Sequence, residues 1–143
     1  MKYVFTESVP YLMNRAGIEI GRRFTEKIRG HGISLPMYRV LAVLRQTGSK
    51  NLGELSFMVS KEQSTLSRII GQMESKGLVT RIRPRDNARL VQIDLTPQGA
   101  ALAEDLMPEA IRFETILTEN LSAGDVRIFK SLLGRIYDQI SKL

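Results

Sequence analysis

Ser64, Thr65, Ser67 and Arg68 crowd into five consecutive positions around Leu66. If the segment is helical, at about 100° per residue, Ile69, Ile70 and Met73 fall within about 60° of Leu66 and form one apolar face. Lys61, Ser64, Arg68, Gly71 and Ser75 fall on the opposite side, with Thr65, Ser67 and Gln72 on the flanks and Gln63 at the start. The outward face therefore carries small hydroxyls, amides and cations, and no acid lies at its centre. Groups of this kind approach phosphates and base edges closely. A polar helix face is by itself usually just solvated, so its surroundings must supply the rest of the case.

The surroundings are basic. Residues 61–90 hold Lys61, Arg68, Lys76, Arg81, Arg83, Arg85 and Arg89 against Glu62, Glu74 and Asp86, which places +4 of the chain's net +6 in this stretch. Such a balance favours a polyanionic partner, either nucleic acid or a membrane surface. The cations gather around a turn, Pro84-Arg85-Asp86-Asn87-Ala88, rather than along one amphipathic helix, which disfavours the membrane. Arginine at a loop tip suits the negative potential of a narrow minor groove. Arg81, Arg83 and Arg85 are either phosphate contacts or solvated charges.

Other chemistries lack their residues. The 143-residue chain has no cysteine and a single histidine, His31, so thiolate catalysis, disulfides and Cys- or His-rich metal sites are excluded and no cofactor is expected. No paired acids, nucleophile elbow or phosphate loop marks an enzyme. His31, between Gly30 and Gly32, reads as a loop histidine. Met13, Met37, Met58 and Met73 read as core filler. Arg15, Arg22, Arg23 and Lys27 read as solvated or intersubunit-paired charges before an anion pocket. No apolar run reaches the roughly 18 residues of a membrane span, and no secretory signal is expected from the first residues, Met1 to Glu7. A soluble, cytoplasmic, single-domain protein is expected.

The elements that must position the polar face can be read from caps and periodicity. Val9, Leu12, Ala16, Ile20, Phe24 and Ile28 mark one helix face over about residues 7–29, stopped at Gly30-His31-Gly32. Ser34 caps a helix with Pro36 in its first turn, ending at Thr47-Gly48. Asn51 caps a short helix to about Met58, with Glu54 at its third position. A helix from about Lys61 to Lys76 follows, with Ser60-x-x-Gln63 as capping box and Gly77 as stop. Val91, Ile93 and Leu95 alternate with polar residues as a strand, paired with Val79–Arg83 in a hairpin. Thr96-Pro97 opens a helix to about Glu119, which Pro108 is expected to kink or break. Ser122-x-x-Asp125 opens the last helix, whose stripe is Phe129, Leu132, Leu133, Ile136, Ile140 and Leu143.

The order helix, short helix, helix, basic hairpin, flanked by long helices, predicts a mainly α-helical winged helix-turn-helix fold with a small β-hairpin wing. Leu35-Pro36-Met37-Tyr38-Arg39-Val40-Leu41, Leu52-Gly53-Glu54-Leu55, Ser64-Thr65-Leu66-Ser67-Arg68, Glu74-Ser75-Lys76-Gly77-Leu78-Val79 and Leu95-Thr96-Pro97-Gln98-Gly99 together resemble the MarR family of winged helix-turn-helix regulators. The resemblance implies a lobe over about residues 35–96 that binds double-stranded DNA, and N- and C-terminal helices, about 7–30 and 97–143, that form a homodimer. It implies a pseudo-palindromic operator, usually repressed, and often a small aromatic or anionic ligand near the junction with the DNA-binding lobe. DNA-binding residues are then expected at Lys61, Gln63, Ser64, Thr65, Ser67 and Arg68 on the helix and Arg83, Arg85 and Arg89 on the wing. The long terminal stripes point independently to a second copy, since a helix of about 20 residues outreaches a small lobe.

Three positions depart from the family pattern. The wing has Asn87-Ala88-Arg89 where the family has Asp-x-Arg, with Asp86 one place earlier. Ser60 stands where the turn usually has glycine, and Lys61 where the next residue is usually apolar. The first turn of the recognition helix is therefore expected to sit differently. The remaining alternative class is a protein-interaction module that kept the fold and lost DNA binding.

Overall fold

The computed structural model describes residues 1–86 and 90–143 and divides into two compact units, Met1–Met107 and Pro108–Leu143. The first contains α1 (Val9–Ile28), α2 (Leu35–Thr47), β1 (Lys50–Asn51), α3 (Leu52–Val59), α4 (Gln63–Ser75), β2 (Val79–Ile82), β3 (Gln92–Leu95) and the first half of α5 (Pro97–Leu117). The second contains the rest of α5 and α6 (Ala123–Gln139).

Local signals set most helix starts. The Met37 amide donates to Ser34 Oγ at 3.4 Å. Asn51 and Glu54 cap each other, the Glu54 amide donating to Asn51 Oδ1 at 2.8 Å and the Asn51 amide to Glu54 Oε1 at 3.3 Å. Gly99 donates to Thr96 Oγ1 at 3.0 Å, and Ser122 and Asp125 form a second reciprocal pair at 3.0 and 3.1 Å. Each such cap satisfies amides the helix cannot, worth about 1 kcal/mol. Gly32, Gly48 and Gly77 close α1's 3-10 extension, α2 and α4 with φ of 71°, 82° and 73°.

The core of the first unit lies among α2, α3, α4, β3 and α5. Val40, Leu41, Leu55, Leu66, Ile70, Met73, Ile93 and Leu106 are fully buried there. Each contributes roughly 1.5–3 kcal/mol over an exposed side chain. The sheet is antiparallel in the order β1-β3-β2, with Lys50 opposite Ile93 and Arg81 opposite Ile93 on the other side. The sequence gives no sign of β1, because two residues show no alternation.

Four expectations are corrected. The helix expected from Lys61 begins at Gln63. Glu62 is its N-cap without a side-chain bond, so Ser60-x-x-Gln63 is not a capping box. Ser60 instead ends α3 in the left-handed region, which takes it out of reach of the next helix's amides. Of the kink or break expected at Pro108, the break does not occur, and α5 runs through it. A proline removes one ladder bond, and the neighbouring turn is anchored by buried Leu106. The helix expected over the first apolar stripe forms as α1, with Phe24 and Ile28 of that stripe buried and Val9, Leu12 and Ile20 exposed. Met37 and Met73 are core residues, but Met13 and Met58 are exposed.

In the second unit α6 is amphipathic, yet none of its residues is buried. Ile128, Phe129 and Leu132 on α6 are 60%, 55% and 44% exposed, and Ile140 just after it is 50% exposed. Lys130 pairs with Glu114 at 2.9 Å.

Candidate nucleic-acid interface

α4 splits as its sequence predicts. Leu66, Ile69, Ile70 and Met73 are buried, while Gln63, Ser64, Arg68, Gln72 and Ser75 are exposed and Thr65, Ser67 and Gly71 are half-buried. Four apolar anchors on one side fix the helix's rotation, so the hydroxyls, amides and guanidinium stand outward by necessity rather than by chance rotamer. Gly71 has open space around it, and no side chain blocks the approach at that point.

Three residues, Ser60, Lys61 and Glu62, join α3 to α4. Ser56 holds this turn. Its carbonyl accepts from the Ser60 amide and from the Lys61 amide at 3.1 Å, and its hydroxyl donates to the Lys61 carbonyl. Ser60 adopts φ 54°, ψ 48°, the conformation a glycine would take without strain. Ser60 therefore closes α3 in the left-handed conformation although it carries a side chain. Lys61, half-buried in the turn, sits ahead of the helix rather than on its outward face.

The motif after the wing and the exit from α4 lock together. The Thr96 amide donates to the Leu78 carbonyl at 3.1 Å and the Thr96 hydroxyl to the Gly77 carbonyl at 2.6 Å. Gly99 is buried against Leu78. These contacts fasten the base of the hairpin to α5.

Among the hairpin arginines, Arg83 and Arg85 are exposed and make no ion pair among the described residues. Asn87, Ala88 and Arg89, including the wing arginine predicted to contact DNA, lie outside the described residues. Arg81 is not a free cation. Its Nε donates to Glu74 Oε1 at 2.8 Å and its Nη2 to the Ser67 carbonyl at 3.0 Å. Neither the Ser56 contacts nor the Glu74–Arg81 pair is legible in the sequence, because each joins elements across a turn and follows no single helical or strand period.

Charges elsewhere are used locally. Arg22 and Arg23 both donate to Glu19 on α1, and these two hydrogen bonds hold its carboxyl below the usual glutamate range. Arg22 and Arg23 are thus paired within α1 itself. Tyr38 packs on Phe24 with ring centroids 4.8 Å apart, and burial pushes its phenol upward. Among the described residues no cluster of His, Asp and Glu could hold a metal ion, and no helix is long and apolar enough to cross a membrane.

A helix with one buried and one polar outward face, a three-residue turn before it and an antiparallel basic hairpin after it define a winged helix-turn-helix. Comparison with known proteins gives the same class. The MarR family model matches residues 33–91. A MarR family transcriptional regulator from Silicibacter pomeroyi DSS-3 is 32% identical, with 96% of this chain and 98% of that one aligned at a TM-score of 0.82. A cysteine-to-serine mutant of MarR from E. coli, solved with operator DNA, is 26% identical over 94% and 99% of the two chains, with a TM-score of 0.81. BpsR of Bordetella bronchiseptica, whose DNA binding is regulated by 6-hydroxynicotinic acid, is 25% identical over 96% and 99%, with a TM-score of 0.86. The HTH-type transcriptional regulator YdgJ of Bacillus subtilis is 29% identical over 112 residues, 78% of this chain and 68% of that one. The chain belongs to the MarR family of transcriptional regulators.

Proposed function

We propose that the protein is a homodimeric, sequence-specific repressor that binds a pseudo-palindromic operator and carries out no catalysis. The observation that carries this reading is the outward face of α4, where exposed Ser64 and Arg68 stand opposite four buried anchors beside a basic hairpin. Ser64, Thr65, Ser67 and Arg68 read base edges in the major groove. Lys61, Gln63, Arg83, Arg85 and Arg89 supply phosphate and minor-groove contacts.

The exposed apolar residues of α1 and, separately, of α6 support a dimer. Val9, Leu12 and Ile18 on α1 and Ile128, Leu132 and Ile140 toward the C-terminus are too many to leave in water. Residues 7–30 and 97–143 form the dimerisation region of one family-type domain, and residues 35–96 the DNA-binding lobe. Two copies related by a twofold axis set two recognition helices about one duplex turn apart, roughly 34 Å. The protein works in the cytoplasm, where its operator is. A small aromatic or anionic molecule releases it, a reading supported by the 6-hydroxynicotinic acid response of BpsR.

Selection of duplexes from a random-sequence pool, followed by sedimentation of the free protein, tests the reading. An inverted repeat bound by a dimer is expected. A monomer at micromolar concentration that retains no duplex in dilute buffer overturns it.

A further inference from the structure

Arg81 belongs by sequence to the cationic hairpin, yet its guanidinium is spent on α4. Its side chain is 31% exposed and Glu74's is 38%, so the pair is partly shielded from water. One fork reaches two points on the helix. Nη2 meets the carbonyl of Ser67 at mid-helix, and Nε meets the carboxylate of Glu74 in the last turn. Those positions are seven residues apart, two turns along one side. A carbonyl already used in the helix ladder has a second lone pair to accept such a bond. Arg81 is itself held in the sheet opposite Ile93, which is fully buried. The planar guanidinium thus joins a fixed strand to two separate turns of the recognition helix, a geometry a lysine's single ammonium does not reproduce.

We propose that Arg81 is a positioning residue, not a phosphate contact. It sets the angle between α4 and the hairpin so that both engage one duplex in a single register, and it neutralises Glu74, an acid close to the DNA-facing side. This rests on the duplex-binding reading above. A lone exposed ion pair would add little; here a second, charge-assisted bond to backbone makes the connection directional.

The test uses the full chain, a duplex selected by the wild-type protein and an unrelated duplex of equal length. Arg81→Met and Glu74→Gln are each expected to weaken binding to the selected duplex about tenfold, with little change for the unrelated one. Arg81→Lys keeps the charge and is expected to share the loss. The salt dependence of binding stays that of the wild type, and hydrogen exchange at the β2 and β3 amides quickens in Arg81→Met and Glu74→Gln. Simple electrostatics predicts the reverse for Glu74→Gln, since removing an acid favours a polyanion. Tighter binding by that variant overturns the proposal. So does a log–log salt slope shallower by about 0.9 in Arg81→Met with Arg81→Lys unimpaired, the signature of a lost phosphate contact. A wild-type protein that selects no duplex refutes the DNA-binding reading instead. Exchange in the free protein then still decides the clamp, and unchanged exchange in both variants overturns it.

Discussion

Gly99, in the first turn of α5, lies directly against the backbone of Leu78. A Cβ at position 99 would stand 2.9 Å from the Leu78 carbonyl carbon and nearer still to its oxygen, which already accepts the Thr96 amide. Backbone on both sides cannot yield as a flexible side chain would. Gly99→Ala is expected to destabilise the fold by about 3 kcal/mol, at the upper end of overpacking costs. Urea unfolding measures it, and a wild-type midpoint would contradict the packing described. Because the same contact fixes the hairpin's base, the variant is also expected to lose duplex binding at temperatures where it remains folded.

Ser60 makes the opposite prediction. A serine at φ 54° carries the cost of a left-handed backbone that glycine avoids. Ser60→Gly relieves that strain but adds freedom to the unfolded chain, and the net gain is expected to be about 1 kcal/mol or less. For a chain of this size that is a rise in Tm of about 3 °C. A fall in Tm would mean that the Ser60 side chain stabilises the turn by more than its backbone costs.

Arg68 and Arg89 should fail differently when removed. Arg68 projects from α4, whose rotation is fixed by its buried face, so Arg68→Ala is expected to cost about 1–3 kcal/mol against the selected duplex and to relax base preference at one position of each half-site. Arg89→Ala is expected to weaken specific binding strongly while the dimer persists, with a salt slope shallower by about 0.9 if the lost contact is to one phosphate. Anisotropy titrations at several salt concentrations separate the two, and unchanged binding by Arg89→Ala rules out a wing contact there.

Tyr38 gives the chain an alkaline sensitivity. Burial raises its phenol above the ordinary value of 10.0, so the folded chain keeps the proton where the unfolded chain would lose it. That contribution to stability is whole below about pH 10 and is lost as pH climbs through the raised folded value. Tyr38→Phe keeps the ring on Phe24 and removes the ionisation. The variant is expected to lose less stability than the wild type between about pH 9 and pH 11, as followed by urea midpoints. Parallel losses would show that other groups account for the alkaline effect.

What the sequence determined by itself was local. The division of α4 into Leu66, Ile69, Ile70 and Met73 against Ser64, Arg68 and Ser75 follows from helical period alone. Ser34, Asn51, Thr96 and Ser122 announce helix starts because each hydrogen-bonds an amide three residues away. Only the tertiary structure decided the rest. Whether Ser60 caps the following helix or closes the preceding one depends on how α3 and α4 pack, and the packing chose closure. The exposure of Met13 and Met58 beside the burial of Met37 and Met73 depends on what each helix faces, which composition does not encode. The tie from Arg81 to Ser67 and Glu74 depends on bringing β2 back across the end of α4. A contact between residues on one turn of a helix is written in their spacing, whereas a contact between elements exists only once burial of the apolar core has fixed where those elements lie.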